Sequence, residues 1–396
     1  MNRPDVLHFT RSTFAGVRRH VVDLILGLRE LGVRQSLVFA PDDADQGFWD
    51  GLAQMEALGI STHSVSIPRQ LSPAKDFAAG RELRRLIRHL RPRMLHLHSS
   101  KAGGIGRLAA LGIAHLPVVY SPHASAAHLG RVYADLERLL GRLRTDRVVA
   151  VSRSERRELA RLGYVSPQKL VDVECGIEAE QVRRAAAESL PLTLSGGPLV
   201  VAVGRLSEQK NPLLLVRAAA SVARRVPEAH FVWVGDGELR GEVEQAIATV
   251  GLQDRWTITG WLANPYSILA RAAVFVLPSR YESFGYVTLE AMVLGRPVIA
   301  SDVAGSRDLV VDGETGRLVP EGDTEALADA MTEVLRSPSE AIRLGAAGSD
   351  RSAIFSRDRM ARSMLDVYQQ VGGKSLGAPS PRQRTSPAAR SHRSMV

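Results

Sequence analysis

The segment "AVFVLPSRYESFGYVTLEAMVLGRPVIAS", residues 273–301, decides the fold. Its first six residues are a short apolar run, the length and composition of a strand buried on both faces. "SRYESFG" is polar and ends in a glycine, so the chain turns there. "YVTLEAMVL" is free of breakers and is stopped by Gly295 with Pro297 just beyond, the stop signal of a helix. "PVIAS" (297–301) then returns to an apolar run. Strand, loop, helix and strand in that order form a βα unit of a parallel sheet.

Outward from this segment the same alternation repeats in two series. The first has candidate strands at 5–10, 36–41, 62–67, 93–98, 117–122, 146–151 and 170–174. The second has them at 198–203, 230–235, 256–260, 273–278 and 297–301. Between the series, at about 180–197, strand patterning stops and Pro, Ser and Gly collect. The reading is α/β with two doubly wound domains, 1–180 and 181–355, facing each other across a cleft. A helix at 356–373 follows, expected to cross back to the first domain. Residues 374–396 are Ser-, Pro- and Arg-rich without acids and are expected to be a disordered basic tail.

Composition narrows the class. The chain has 396 residues, 45% hydrophobic and 23% charged, enough for two cores. The one cysteine, Cys175, excludes a disulfide framework and a cysteine-built metal site. The N-terminus lacks the apolar stretch of a signal peptide and no run is long enough to span a bilayer, so a cytoplasmic location is expected. Net charge is +9 and unevenly spread: residues 1–180 hold 26 Lys and Arg against 19 Asp and Glu, whereas 181–373 hold 20 against 23. A basic first half suggests an anionic partner. Arg81, Arg84, Arg85 and Arg88 share one side of a helix whose other side carries Leu83, Leu86, Ile87 and Leu90. Peripheral contact with the cytoplasmic membrane face is a possible use of that side.

The chemistry concentrates at strand ends. Glu282 lies in the loop after the strand at 273–278, Gly285 opens the following helix, and Glu290 stands two turns into it. The first-turn amides of Gly285, Tyr286 and Val287 form an anion site of the kind helix N-termini provide. Carboxylates beside it suit a polyhydroxylated ligand that also bears phosphate. The strand at 198–203 runs into "VAVGRLSEQKN" (201–211), where Gly204 makes the turn and Arg205 and Lys210 can converge on a diphosphate, one as a planar fork and one as a point charge. The chain offers no Asp-x-Asp at a strand end, so no metal and no cofactor beyond the donor are expected.

With these residues in place, "GRLSEQKN" (204–211), "VGDGELR" (234–240), "TGW" (259–261), the segment 277–310 and "DGETGRLV" (312–319) strongly resemble the retaining, nucleotide-sugar-dependent glycosyltransferases of family 4. In the first half, "STFAGVRRHVVDLILGLRELG" (12–32), "HLHSSKAGGIGRLAA" (96–110), "VVYSPHASA" (118–126) and "TDRVVAVSRSER" (145–156) resemble the same family, so the likeness covers about residues 3–371. The resemblance implies the GT-B fold of two Rossmann-like domains. It makes Glu282 the contact to the transferred sugar, Glu290 the holder of the nucleotide ribose, and Arg205 and Lys210 the diphosphate pair. Gly16 corresponds to a flexible glycine loop over the donor, and His123 to the histidine near the reacting centre. "SSKAGG" (99–104) reads as a second glycine-rich turn that positions the acceptor.

Three departures stand out. Ala15 precedes Gly16 where paired glycines are common, Cys175 precedes Gly176 where asparagine is frequent, and Asp308 occupies a position often held by glutamate. None removes a charged catalytic group. The expected activity is transfer of a hexosyl or N-acetylhexosaminyl group, with retention, from a nucleoside diphosphate sugar, UDP-linked by expectation. The acceptor is a hydroxyl of a glycan, lipid-linked intermediate or small molecule, as in surface polysaccharide or glycolipid assembly. No nucleic acid partner is expected. An epimerase would need acids in the first domain, which "HSSKAGG" and "SPHAS" do not offer. A nicotinamide oxidoreductase would need Gly-x-Gly-x-x-Gly after the first strand, which "HFTRSTFAGVRR" lacks. A non-catalytic nucleotide-sugar binder differs only in product formation.

Overall fold

The computed structural model describes residues 3–123, 131–188, 197–373 and 376. The tail at 374–396, Leu376 apart, lies outside the described residues, as do 124–126 of "SPHASA" and 189–196 of the inter-domain stretch. The first sheet contains β1 (Val6–Thr10), β2 (Gln35–Phe39), β3 (Ser61–Ser64), β4 (Met94–His98), β5 (Val118–Ser121), β6 (Arg147–Ala150) and β7 (Leu170–Asp172). They are all parallel in the order β3-β2-β1-β4-β5-β6-β7. The second sheet contains β8 (Leu199–Val203), β9 (His230–Val234), β10 (Trp256–Ile258), β11 (Ala272–Leu277), β12 (Val298–Ser301) and β13 (Arg317–Val319), parallel in the order β10-β9-β8-β11-β12-β13. These are two doubly wound α/β domains.

Strand order reverses between β1 and β4 in one sheet and between β8 and β11 in the other. Loops at the carboxyl ends of those four strands diverge to opposite faces and leave a crevice, which is where open sheets of this type bind ligands. The segments after β1, β4, β8 and β11 are therefore the ones positioned to make a site.

Alternation along β1 separates two of the first domain's core clusters. Leu7 and Phe9 join Leu83, Ile87, Leu95 and Leu97 on one face. Val6 on the other face joins Leu24 and Leu28 of the helix Ala15–Glu30. The final helix, Arg357–Gly372, packs on that same face through Met360, Ala361, Met364 and Tyr368, so the chain returns to the first domain after completing the second. Each fully buried Val, Leu or Met among them contributes about 1.5–3 kcal/mol.

Several elements differ from the sequence reading. β3 stops at Ser64, and Val65 and Ile67 are buried in the connection that follows. β7 ends at Asp172, two residues short of the apolar run, and β13 falls in "ETGRLV", where only three residues pair at the sheet edge. "SSKAGG" is no glycine turn. Ser99 takes φ 73° and the helix Ser100–Ala109 begins at once, its Gly103 pressed against the Tyr120 ring, where a Cβ would lie 2.4 Å from Cε2. Gly16 likewise sits inside the first turn of Ala15–Glu30, behind Ala15 at φ 52°, and not in a loop. Arg84 differs from its three neighbours: its guanidinium donates to the Ala109 and Leu111 carbonyls and finishes a helix, while Arg81, Arg85 and Arg88 are exposed.

Candidate active site

The site begins where β8 ends. Gly204 at φ 152° donates its N–H to Val234 O and accepts from the Trp233 indole. Its neighbour on β9, Gly235, has φ 139°, and a Cβ there would stand 2.1 Å from Gly204 O. Only a pair of glycines lets these two turns pack face to face. Leu206 N–H bonds Asp236 O and locks the Arg205 loop further. Arg205 itself is one-third exposed, and among the described residues its ion-pair partner is Glu238 at 4.0 Å, so its guanidinium is available to a ligand.

Lys210 ends the same loop just before the helix Pro212–Arg225. Two bonds tie this loop to the one after β11: Arg280 N–H to Gln209 O at 2.9 Å and the Gln209 amide to Tyr281 O at 3.1 Å. The tie brings Lys210 Nζ to Glu282 Oε1 at 2.5 Å, and Ser279 Oγ donates to the same oxygen at 2.8 Å. Lys210 and Glu282 are thus an ion pair, while Arg205 lies beside a different carboxylate, Glu238. Gly285 at φ 95° opens the helix Tyr286–Val293; Thr288 and Leu289 donate to Gly285 O, and the amides of Gly285, Tyr286 and Val287 come before any intrahelical acceptor. A cation, a carboxylate and a set of free amides therefore meet at the end of β11.

Glu290 points elsewhere than along the helix. Its side chain is buried and accepts from Tyr266 Oη at 3.0 Å, and Arg19 Nη1 lies 4.0 Å away. Arg19 comes from the first domain, bonds Tyr266 Oη at 3.0 Å and pairs with Asp23 at 2.5 Å. Burial raises the Glu290 carboxyl above its usual range, and Arg19 and the Tyr266 hydroxyl oppose that rise. For Arg19, burial is outweighed by Asp23, Tyr266 and Glu290, which keep it firmly cationic. Tyr286 spans the cleft too, with Cδ2 positioned 3.6 Å from where a Gly16 Cβ would be and its hydroxyl 3.5 Å from His20 Nδ1. Asp308 accepts from the Ser154 amide at 2.9 Å and its hydroxyl at 3.1 Å, so this carboxylate joins the domains.

His123, at the end of β5, is buried with φ 64°. Its Nε2 lies 3.2 Å from His98 Nδ1, and His20 stands edge-on at 4.7 Å between ring centroids. Burial first, and then the neighbouring His20, hold His123 well below the ordinary imidazole range, so it is neutral at pH 7. It can exchange hydrogen bonds with a ligand but cannot act as a cationic electrophile.

Sequence reasoning passed over Arg19, Tyr266, Asp23 and His20. Three of them stand in the quoted "VRRHVVDL", where a polar trio interrupts an apolar helix face. That interruption is a legible signal, whereas Tyr266 in "NPYSIL" carries none.

Comparison with known proteins gives a consistent family. Residues 197–337 match the family described as Glycosyl transferases group 1, and residues 14–181 match Glycosyltransferase Family 4. The chain is 33% identical to the alpha-D-kanosaminyltransferase of Streptomyces kanamyceticus over 54% of each chain. It is 32% identical to the D-inositol 3-phosphate glycosyltransferase of Segniliparus rotundus over 78% of this chain and 75% of the relative. Its fold superposes on Anabaena Alr3699/HepE, solved in complex with UDP and glucose, with a TM-score of 0.78 at 19% identity, covering 93% of this chain and all of that one. Two Rossmann-like sheets, a crevice at both switch points and these matches make the chain a GT-B glycosyltransferase of family 4.

Proposed function

We propose that the protein transfers a hexosyl or N-acetylhexosaminyl group from a UDP-sugar to an acceptor hydroxyl with retention of anomeric configuration. The observation that carries this is the Lys210–Glu282 ion pair beside the free amides of Gly285, Tyr286 and Val287. A donor places negative diphosphate against positive groups and a sugar against a carboxylate. Diphosphate oxygens draw Lys210 Nζ from Glu282, and the released carboxylate accepts from the sugar. Arg205 closes on the phosphates from its exposed position. As the glycosidic bond breaks, charge grows on the leaving phosphate, and donors already in place stabilise it without reorganisation. The acceptor hydroxyl's proton passes to that phosphate, so no protein base is needed. Fixed cations fill the part a metal ion would otherwise take, and EDTA is expected to leave activity unchanged.

The test is a screen of nucleoside diphosphate sugars by thermal shift, then turnover with the best binder, with and without EDTA. Glu282→Ala is the matched control. Removing the carboxylate frees Lys210, so UDP affinity is expected to hold or rise while turnover falls. If Glu282→Ala weakens UDP as much as UDP-sugar, the assignment of this carboxylate to the sugar fails.

A lipid-linked acceptor is favoured over a soluble one by an exposed surface of the first domain. The helix Arg131–Arg144 shows Val132, Leu136, Leu139 and Leu143 at 86%, 41%, 52% and 63% exposure, one apolar row at helical spacing. Next to it the helix Ser100–Ala109 and its end expose Leu108 and Leu111, and beyond that lie Arg81, Arg85 and Arg88 of the helix Pro73–Leu90. No helix among the described residues is long and apolar enough to cross a membrane. Apolar and cationic rows side by side suit the interface of an anionic bilayer. The protein is expected to sediment with anionic vesicles at low salt, each near-surface arginine contributing about 1 kcal/mol. Arg81→Gln, Arg85→Gln and Arg88→Gln together should remove the salt-sensitive part, and Leu136→Ser, Leu139→Ser and Leu143→Ser the part that survives about 0.15 M salt. Vesicle binding that ignores both sets would leave a soluble acceptor as the better reading.

A further inference from the structure

Five histidines are buried together: His8 in β1, His96 and His98 in β4, His123 just past β5 and His20 on the helix Ala15–Glu30. Three of them form a line. His8 and His96 are paired in the β1–β4 ladder, and His98 stands two residues further on the same face. Gln35 on β2 begins the line: its Oε1 is 2.9 Å from His8 Nε2. His8 Nδ1 is 3.1 Å from His98 Nε2, and His98 Nδ1 is 3.2 Å from His123 Nε2. His96 takes no part, because its two nitrogens are used by Tyr368 Oη at 2.6 Å and Ser121 Oγ at 2.9 Å.

One end of the line has only one possible polarity. Gln35 Nε2 lies 2.9 Å from the Ile25 carbonyl, which can only accept. The amide nitrogen must face Ile25, so the amide oxygen faces His8, and His8 must carry its proton on Nε2. A neutral imidazole has one N–H. His8 Nδ1 is therefore a lone pair and accepts from His98 Nε2–H. His98 Nδ1 is in turn a lone pair and accepts from His123 Nε2–H. Burial, the leading cause in each case, keeps all three rings neutral at pH 7, which the count of one proton per ring requires.

We infer that Gln35 acts through His8 and His98 to fix the tautomer of His123, whose Nδ1 is left, among the described residues, as a hydrogen-bond acceptor for a hydroxyl of the donor sugar. The tautomer follows from the hydrogen-bond line alone; its use on a sugar hydroxyl rests on the proposed transferase reading. Gln35 is a positioning residue, reaching the ligand only through two rings. With the opposite tautomer, Nδ1–H would present a donor, and His123 Nε2 would face His98 Nδ1 lone pair to lone pair.

The test labels histidine with 15N and assigns the rings by single His→Asn variants at positions 8, 98 and 123. In the wild-type protein at pH 7 the His123 Nδ1 signal is expected at the shift of an unprotonated ring nitrogen and Nε2 at that of a protonated one. Gln35→Leu removes the acceptor at the head of the line. It should move His123 toward a mixture of tautomers and raise KM for the UDP-sugar about tenfold, the worth of one hydrogen bond, with kcat changing less. Gln35→Glu should restore both, because a buried, protonated glutamate can donate to Ile25 O and accept from His8. A wild-type spectrum with His123 Nδ1 protonated overturns the inference, as does a Gln35→Leu protein whose His123 signals are unmoved. If Gln35→Leu does not fold, the wild-type spectrum and Gln35→Glu decide. A protein that shows the expected tautomer yet turns over no nucleotide sugar keeps the relay and removes the transferase reading instead.

Discussion

Arg205→Ala is expected to lower turnover by about 10²–10³, the scale on which one preorganised stabiliser of developing charge is lost. The fold should not notice the change. Arg205 is one-third exposed, and its ion-pair partner among the described residues, Glu238 at 4.0 Å, is itself more than half exposed, a pair worth little in water. The thermal midpoint should therefore stay put while kcat falls, which separates a catalytic loss from a folding one. Arg205→Lys should recover part of the rate, since a point charge cannot fork across two phosphate oxygens. Lys210→Ala makes a useful contrast. It removes a phosphate contact and also leaves the buried Glu282 carboxylate without its cation, so stability and turnover fall together. An Arg205→Ala enzyme with full activity would end the assignment of this residue to the diphosphate.

The sequence made this half of the site readable because its residues are local to strand ends. Arg205, Lys210, Glu282 and Gly285 all lie in the loops that directly follow the carboxyl ends of β8 and β11, and a βα pattern is enough to put such positions on one crevice. What the pattern cannot give is which side chains meet. Glu290 at the second turn of its helix was expected to lie open to a ribose, but Tyr266 and Arg19 approach it from another helix and another domain. The histidine line is the clearest case. His8, His98 and His123 are far apart in sequence and come together only because β1 lies between β2 and β4, with β5 beyond. "SSKAGG" misled for a different reason: its glycines serve close packing on Tyr120 within a helix, and composition alone does not distinguish that use from a turn.

The same buried rings are expected to make the fold acid-labile well above the range of ordinary carboxylates. Burial lowers His8 from 6.5 to about 4 and His20 from 6.5 to about 3, and holds His96, His98 and His123 well below their usual value. A histidine with a lowered folded-state pKa is neutral in both states above pH 6.5, so it favours neither. Below pH 6.5 the unfolded chain takes up the proton and the folded chain does not, so stability falls as pH falls, until the folded pKa is reached. For His8 alone that difference is about 3 kcal/mol below pH 4, against a total stability on the order of 5–15 kcal/mol. Three buried acids work the other way. Burial raises Glu155 to about 8 and also raises Glu290 and Asp23, so their protonation favours the fold as pH drops toward their unfolded values near 4. More imidazoles are held neutral by burial than carboxyls are held protonated, so unfolding at pH 5.5 is expected to take up protons on balance. Below about pH 4 the unfolded carboxyls are protonated as well and stop offsetting, while His20 still resists. The thermal midpoint should thus fall from pH 7 to pH 5 and more steeply beyond. Calorimetry in two buffers of different ionisation enthalpy measures the proton uptake directly. A midpoint that is flat from pH 7 to pH 4.5, or unfolding without proton uptake, would count against rings held neutral in the folded protein, and a charged line could not hold His123 in one tautomer.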